Sequence, residues 1–159
     1  MFSKTVRLLA WLKTASMAGL VWGGLHGTVL AQEVKALSVP EITAKGGVLL
    51  TGPQITSLLV GNTAVSIRLV SAAKVPKGSS VVLFFRDSKT RVFRTQDGRL
   101  IEATTWVEGT ETCSEYKVEK IGHVCGTNYR LGSEFYFCER NTAVCEWTFR
   151  ILPGNPHNL

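Results

Sequence analysis

Hydrophobic and polar positions along the chain change rhythm near residue 62. Before it, LLTGPQITSLLVGNT carries apolar residues at helical spacing, with Ile55, Leu58 and Leu59 on one face. Thr51 followed three residues later by Gln54 is a capping box, and Pro53 sits in the first turn, where its missing N–H costs little. Gly61 stands where a left-handed C-terminal cap favours glycine. These signals predict one short helix over residues 52–60, too short to persist unless it docks its stripe on something larger. Upstream, QEVKALSVPEITAKGGV (residues 32–48) shows no sustained period and reads as a loose lead-in.

After the helix the period becomes two. AVSIRLVS, SVVLFFR, RVFRTQ and RLIEATT are rich in β-branched and aromatic residues and are separated by turn residues. Asp97-Gly98 is a two-residue hairpin signal that sets Arg94 opposite Ile101 and Phe93 opposite Glu102. In that register Val82, Phe84 and Phe93 share one face, and Leu83, Phe85 and Val92 the other. A ribbon apolar on both sides is a central or barrel-closing pair touched by helix and core; the sharper alternative is that one face lines a cavity. TAVCEWTFRI alternates most clearly. Ala143, Cys145, Trp147, Phe149 and Ile151 point into the core, and Val144, Glu146, Thr148 and Arg150 point to water. The expected fold is a single all-β antiparallel domain of six to eight strands, a small barrel or sandwich, with the short N-terminal helix packed on it.

The N-terminus sets the setting. MFSKTVR is basic, Ala15–Leu25 is apolar, and Val29 and Ala31 occupy the −3 and −1 positions of a small-residue cleavage site before Gln32. That is the pattern of a secretory signal peptide, and the stretch is too short and glycine-rich for a membrane span. The organisation is therefore read as signal 1–31, lead-in 32–48 and one β domain over 49–159, in a periplasmic or secreted protein. Losing Lys4, Arg7 and Lys13 lowers the formal charge from +6 to +3, too little for a nucleic-acid partner.

All four cysteines, Cys113, Cys125, Cys138 and Cys145, lie in the mature part and are expected as two disulfides. There is no C-x-x-C and no zinc-type spacing, and the mature chain keeps only His123 and His157, so no metal or cofactor is expected. In CGTNYRLGSEFYFC a loop at Leu131-Gly132 would place Cys125 directly opposite Cys138, a cross-strand staple, leaving Cys113 for Cys145. The competing arrangement is Cys113–Cys125 with Cys138–Cys145, since Asn141-Thr142 offers a second tight turn.

Chemistry is sparse. No nucleophile elbow, zincin motif, phosphate loop or dinucleotide fingerprint is present, so no catalytic residue is assigned. Glu102, Glu108, Glu111 and Glu115 read as a solvated face. One basic cluster, Arg86, Lys89, Arg91, Arg94 and Arg99 within RDSKTRVFRTQDGR, is a candidate patch for an anionic partner, set against the ordinary reading of charged hairpin ends.

LTGPQITSLLVGNT, YKVEKIGHVCGTN, the cysteine at 138 and WTFRILPGNP together resemble uncharacterised small periplasmic proteins of alphaproteobacteria, grouped as a domain of unknown function. That family pattern carries two cysteines, which map onto Cys125 and Cys138. Cys113 and Cys145 then look like additions, in keeping with pairing them together. The resemblance implies an exported, disulfide-bonded β domain and supplies no activity. The function expected is a non-catalytic binding protein of the envelope, whose partner is an envelope component, a small ligand or a protein. The alternatives are an inhibitor or immunity-type protein acting through the Val107–Ser114 stretch, and a small periplasmic enzyme with its site in a barrel mouth.

Overall fold

A computed structural model describes residues 34–72, 75–95, 98–117 and 122–159. The predicted signal peptide lies outside them. Two short helices, α1 (Val39–Ala44) and α2 (Gly52–Leu59), accompany nine strands. The strands are β1 (Val48–Leu49), β2 (Asn62–Arg68), β3 (Ser80–Phe85), β4 (Thr90–Arg94) and β5 (Leu100–Glu108), then β6 (Glu111–Tyr116), β7 (His123–Leu131), β8 (Glu134–Glu139) and β9 (Trp147–Pro153). β2 to β9 pair antiparallel in sequence order, and β9 returns to β2, closing an eight-stranded barrel. β1 pairs with β7 through Leu49↔Tyr129, just beyond the point where β6 begins at Glu111↔Thr127, and so lengthens the wall there. Among the described residues no helix is long and apolar enough to cross a membrane.

α2 begins as its sequence dictates. The Gln54 carboxamide oxygen accepts from the Thr51 backbone N–H at 2.9 Å, and Gly61 adopts a φ of +75° just past the helix. Ile55 and Leu59 are buried from this helix and meet Leu50, Ala64, Phe85 and Phe149, so α2 stoppers one end of the barrel. Residues 32–48, expected as a loose lead-in, instead carry α1 and β1. Ser38 and Glu41 form a capping box at the start of α1, and Leu37 and Ile42 enter a second core with Leu69, Tyr129, Tyr136, Cys138 and Cys145 on the outer side of β7 and β8.

Three register expectations are corrected. The β7–β8 loop is Gly132-Ser133, flanked by Leu131↔Glu134, so Cys138 lies opposite Thr127 and not Cys125. Gly132 takes a φ of +61°, which suits the first position of a two-residue loop far better than leucine would. The disulfides are accordingly Cys113–Cys125, directly opposed on β6 and β7, and Cys138–Cys145, which ties β8 to the segment before β9. In the β4–β5 hairpin Thr95 donates to the Arg99 carbonyl and Gly98 to that of Thr95, each at 2.9 Å. Three residues therefore separate the outer pair, and Phe93 faces Ile101. β9 starts only at Trp147, so the alternation does not extend to Cys145, which is buried in the outer core.

Candidate functional site

Strand parity decides what the barrel encloses. Leu83↔Phe93 and Phe85↔Arg91 put those four side chains on the inner face, leaving Val82, Phe84 and Val92 outside. The earlier grouping of Phe93 with Val82 and Phe84 is thus reversed, and the inner face does line a cavity. Its volume is about 350 Å³, bounded by Leu59 of α2 and by side chains from β2, β3, β4, β6, β7, β8 and β9. Val81, Leu83, Phe85, Phe93, Val124, Phe137, Trp147 and Phe149 make the wall mainly apolar.

The polar groups in this wall fall into three sets. At the open end, away from α2, Arg68 pairs with Glu146 at 2.7 Å, donates through Nε to the Val70 carbonyl at 3.1 Å, and stacks its guanidinium 5.0 Å from the Trp147 ring. Glu139 lies nearby. Burial holds its carboxyl above the usual 4.5, Glu146 adds to the effect, and Arg68 opposes it. On β6 and β7, Asn128 donates to the Thr112 hydroxyl at 2.7 Å, so both buried groups are satisfied.

The third set is Arg91 with Tyr116. Phe85, Arg91, Ala103 and Tyr116 occupy one cross-strand row over β3, β4, β5 and β6. Ala103 is the small residue between the two polar ones, which lets the arginine extend across β5. Arg91 Nη2 donates to the Tyr116 hydroxyl, and the guanidinium carbon lies 4.9 Å from the Tyr116 ring and 5.9 Å from that of Phe85. Phe93 meets Tyr116 edge-on at 5.7 Å. Arg91 Nε is fully buried and has no hydrogen-bond partner. Among the described residues no carboxylate pairs with Arg91, and burial pulls the pKa of its guanidinium below the ordinary value, opposed by Tyr116.

The five basic residues singled out from sequence do not share one face. Arg86 pairs with Glu102 at 3.1 Å on the outside, and Lys89 is exposed at the α2 end. Arg94 donates to the Asn158 carbonyl at 3.3 Å, and Arg99 is exposed beside the β4–β5 turn. Arg91 alone enters the lumen. The Val107–Ser114 stretch is the β5–β6 hairpin with a tight turn at Gly109-Thr110, and it forms no protruding loop. His123 stacks on Trp106 at 5.2 Å and places Nε2 3.3 Å from Cys125 Sγ. Cys113, Cys125 and His123 are spaced as metal ligands, but both sulfurs are joined to each other and offer no thiolate.

Comparison of the chain with protein families, with curated proteins and with solved structures finds no match.

Proposed function

We propose that this protein is an exported binding protein that holds a small, mainly apolar molecule inside the barrel. The apolar cavity of about 350 Å³, closed at one end by α2, carries this reading. A barrel of this strand number is wide enough either to be filled by its own side chains or to hold one small ligand; here space remains. Binding is supported by the wall itself, which is mainly apolar, with Leu83, Phe85, Phe93, Phe137 and Phe149 turned into the lumen. Two disulfides, the basic and apolar N-terminal pattern and the resemblance to periplasmic proteins favour the cell envelope or its exterior as the place of work.

The test is titration of the purified, oxidised protein with N-phenyl-1-naphthylamine, an uncharged probe that brightens in apolar surroundings. We expect saturable binding at one probe per chain and its loss in Ser66→Phe, which fills the lumen from β2. No binding to the wild type, or binding unchanged in a folded Ser66→Phe protein, would overturn the proposal.

A further inference from the structure

We infer that the lumen selects a singly charged carboxylate with a hydrocarbon tail, the carboxylate resting on Arg91 and Tyr116 and the tail on the apolar wall. This rests on the lumen being a binding site and adds the chemistry of the occupant.

Charge balance is the first support. Of the charged side chains that line the cavity, Arg68 is matched by Glu146 at 2.7 Å. Glu139 is shifted toward its neutral form by burial. Arg91, part-buried with its Nε sealed from water, has no counter-charge among the described residues, and an unpaired charge withdrawn from water is costly to a fold. A bound anion removes that cost. A neutral molecule does not, and a cation adds to it.

Donor geometry is the second. An arginine presents five N–H groups. Among the described residues the Arg91 side chain makes one hydrogen bond, from Nη2 to the Tyr116 hydroxyl, and Nε is buried without a partner. The hydroxyl accepts from Arg91 and keeps its own proton to donate, so guanidinium and phenol together offer donors to one small oxyanion. Planar, forked donation suits a carboxylate. One unmatched positive charge suits one negative charge, and the surrounding Leu83, Phe85, Phe93 and Val124 present hydrocarbon to the rest of the occupant.

A purely structural Arg91, serving as a packing element between two aromatic rings, makes a different prediction, and a displacement experiment separates them. The wild-type protein is loaded with N-phenyl-1-naphthylamine and challenged at pH 7 with octanoate, octan-1-ol or octyltrimethylammonium. Octanoate is expected to displace the probe at a concentration at least ~10-fold lower than octan-1-ol, with the ammonium weakest. Arg91→Gln is expected to erase the advantage of octanoate over octan-1-ol, and Tyr116→Phe to reduce it. Equal potency of octanoate and octan-1-ol on the wild type overturns the inference, as does an octanoate advantage that survives R91Q. Should R91Q fail to fold, the wild-type series and Tyr116→Phe decide the matter. A probe that never binds overturns the lumen reading itself, and is thereby distinguished from a probe displaced equally by all three.

Discussion

Ala103 is fully buried and lies between Arg91 and Tyr116 in the cross-strand row. A larger side chain there would occupy the path along which the arginine reaches the phenol. Ala103→Leu is expected to cost about 1–3 kcal/mol by overpacking. It should also lower octanoate affinity relative to octan-1-ol, since the guanidinium is pushed from its seat. Thermal denaturation and the displacement series check the two effects separately. Glu139 is the other residue whose surroundings dictate behaviour. Its carboxyl titrates above the ordinary 4.5, chiefly through burial. A raised folded-state pKa means the fold favours the protonated form, so its contribution is complete below 4.5 and is lost as pH rises through the raised value. Tm measured from pH 4.5 upward should therefore fall less in Glu139→Gln than in the wild type; equal slopes would contradict the assignment. Glu111 acts in the opposite sense. Hydrogen bonding from Arg140 lowers its pKa, so its contribution is present above 4.5 and lost as pH falls through the lowered value.

At the scale of elements, α1 shows how a short segment becomes structural. It has six residues and one fully buried side chain, Ile42, yet that side chain joins Leu37 in sealing the outer core over Tyr129 and Tyr136. The Cys145 N–H donates to the Leu37 carbonyl at 2.8 Å, so the disulfide segment also holds this strap. Ile42→Ala is expected to destabilise the protein by about 2–5 kcal/mol in chemical denaturation, with no change in probe stoichiometry because the lumen lies on the other side of the wall. The same Ser-x-x-Glu signature that marks α1 was legible at Thr51-x-x-Gln54 and located α2 correctly. At Ser38 it was obscured because one buried residue cannot establish a period. The strands were legible as alternations, but their registers were not. Gly132-Ser133 displaced the loop by one residue from Leu131-Gly132, and that single step moved the disulfides to their other pairing. A three-residue connection after Thr95 had a similar effect on Phe93. Period-2 patterns carry which residues share a face, and turn chemistry carries which face is shared across strands.

For the whole molecule, an all-β antiparallel fold, barrel or sandwich, and the presence of two disulfides followed from composition, even cysteine count and strand pattern. The cavity was legible only as the less favoured reading of the ribbon apolar on both faces, because lumen-facing residues such as Leu83, Phe93 and Phe149 are the same kinds of residue that fill a solid core. Arg91 was visible as one of five basic residues and indistinguishable from Arg94 three positions on. Only ring closure separates them, turning one inward beside Tyr116 and leaving the other near the chain terminus at Asn158.

The two tryptophans of the barrel wall stand on opposite sides of it. Trp147 lines the lumen beneath Arg68, whereas Trp106 stacks on the half of the surface that carries His123. Of the chain's four tryptophans, these two are therefore indole chromophores in separate surroundings. Emission from Trp147 responds to the polarity of whatever fills the interior, whereas Trp106, stacked on His123 outside the lumen, does not meet the occupant. Loading of the barrel is therefore readable by light alone, in the unlabelled protein: the change in emission should survive Trp106→Phe and vanish in Trp147→Phe.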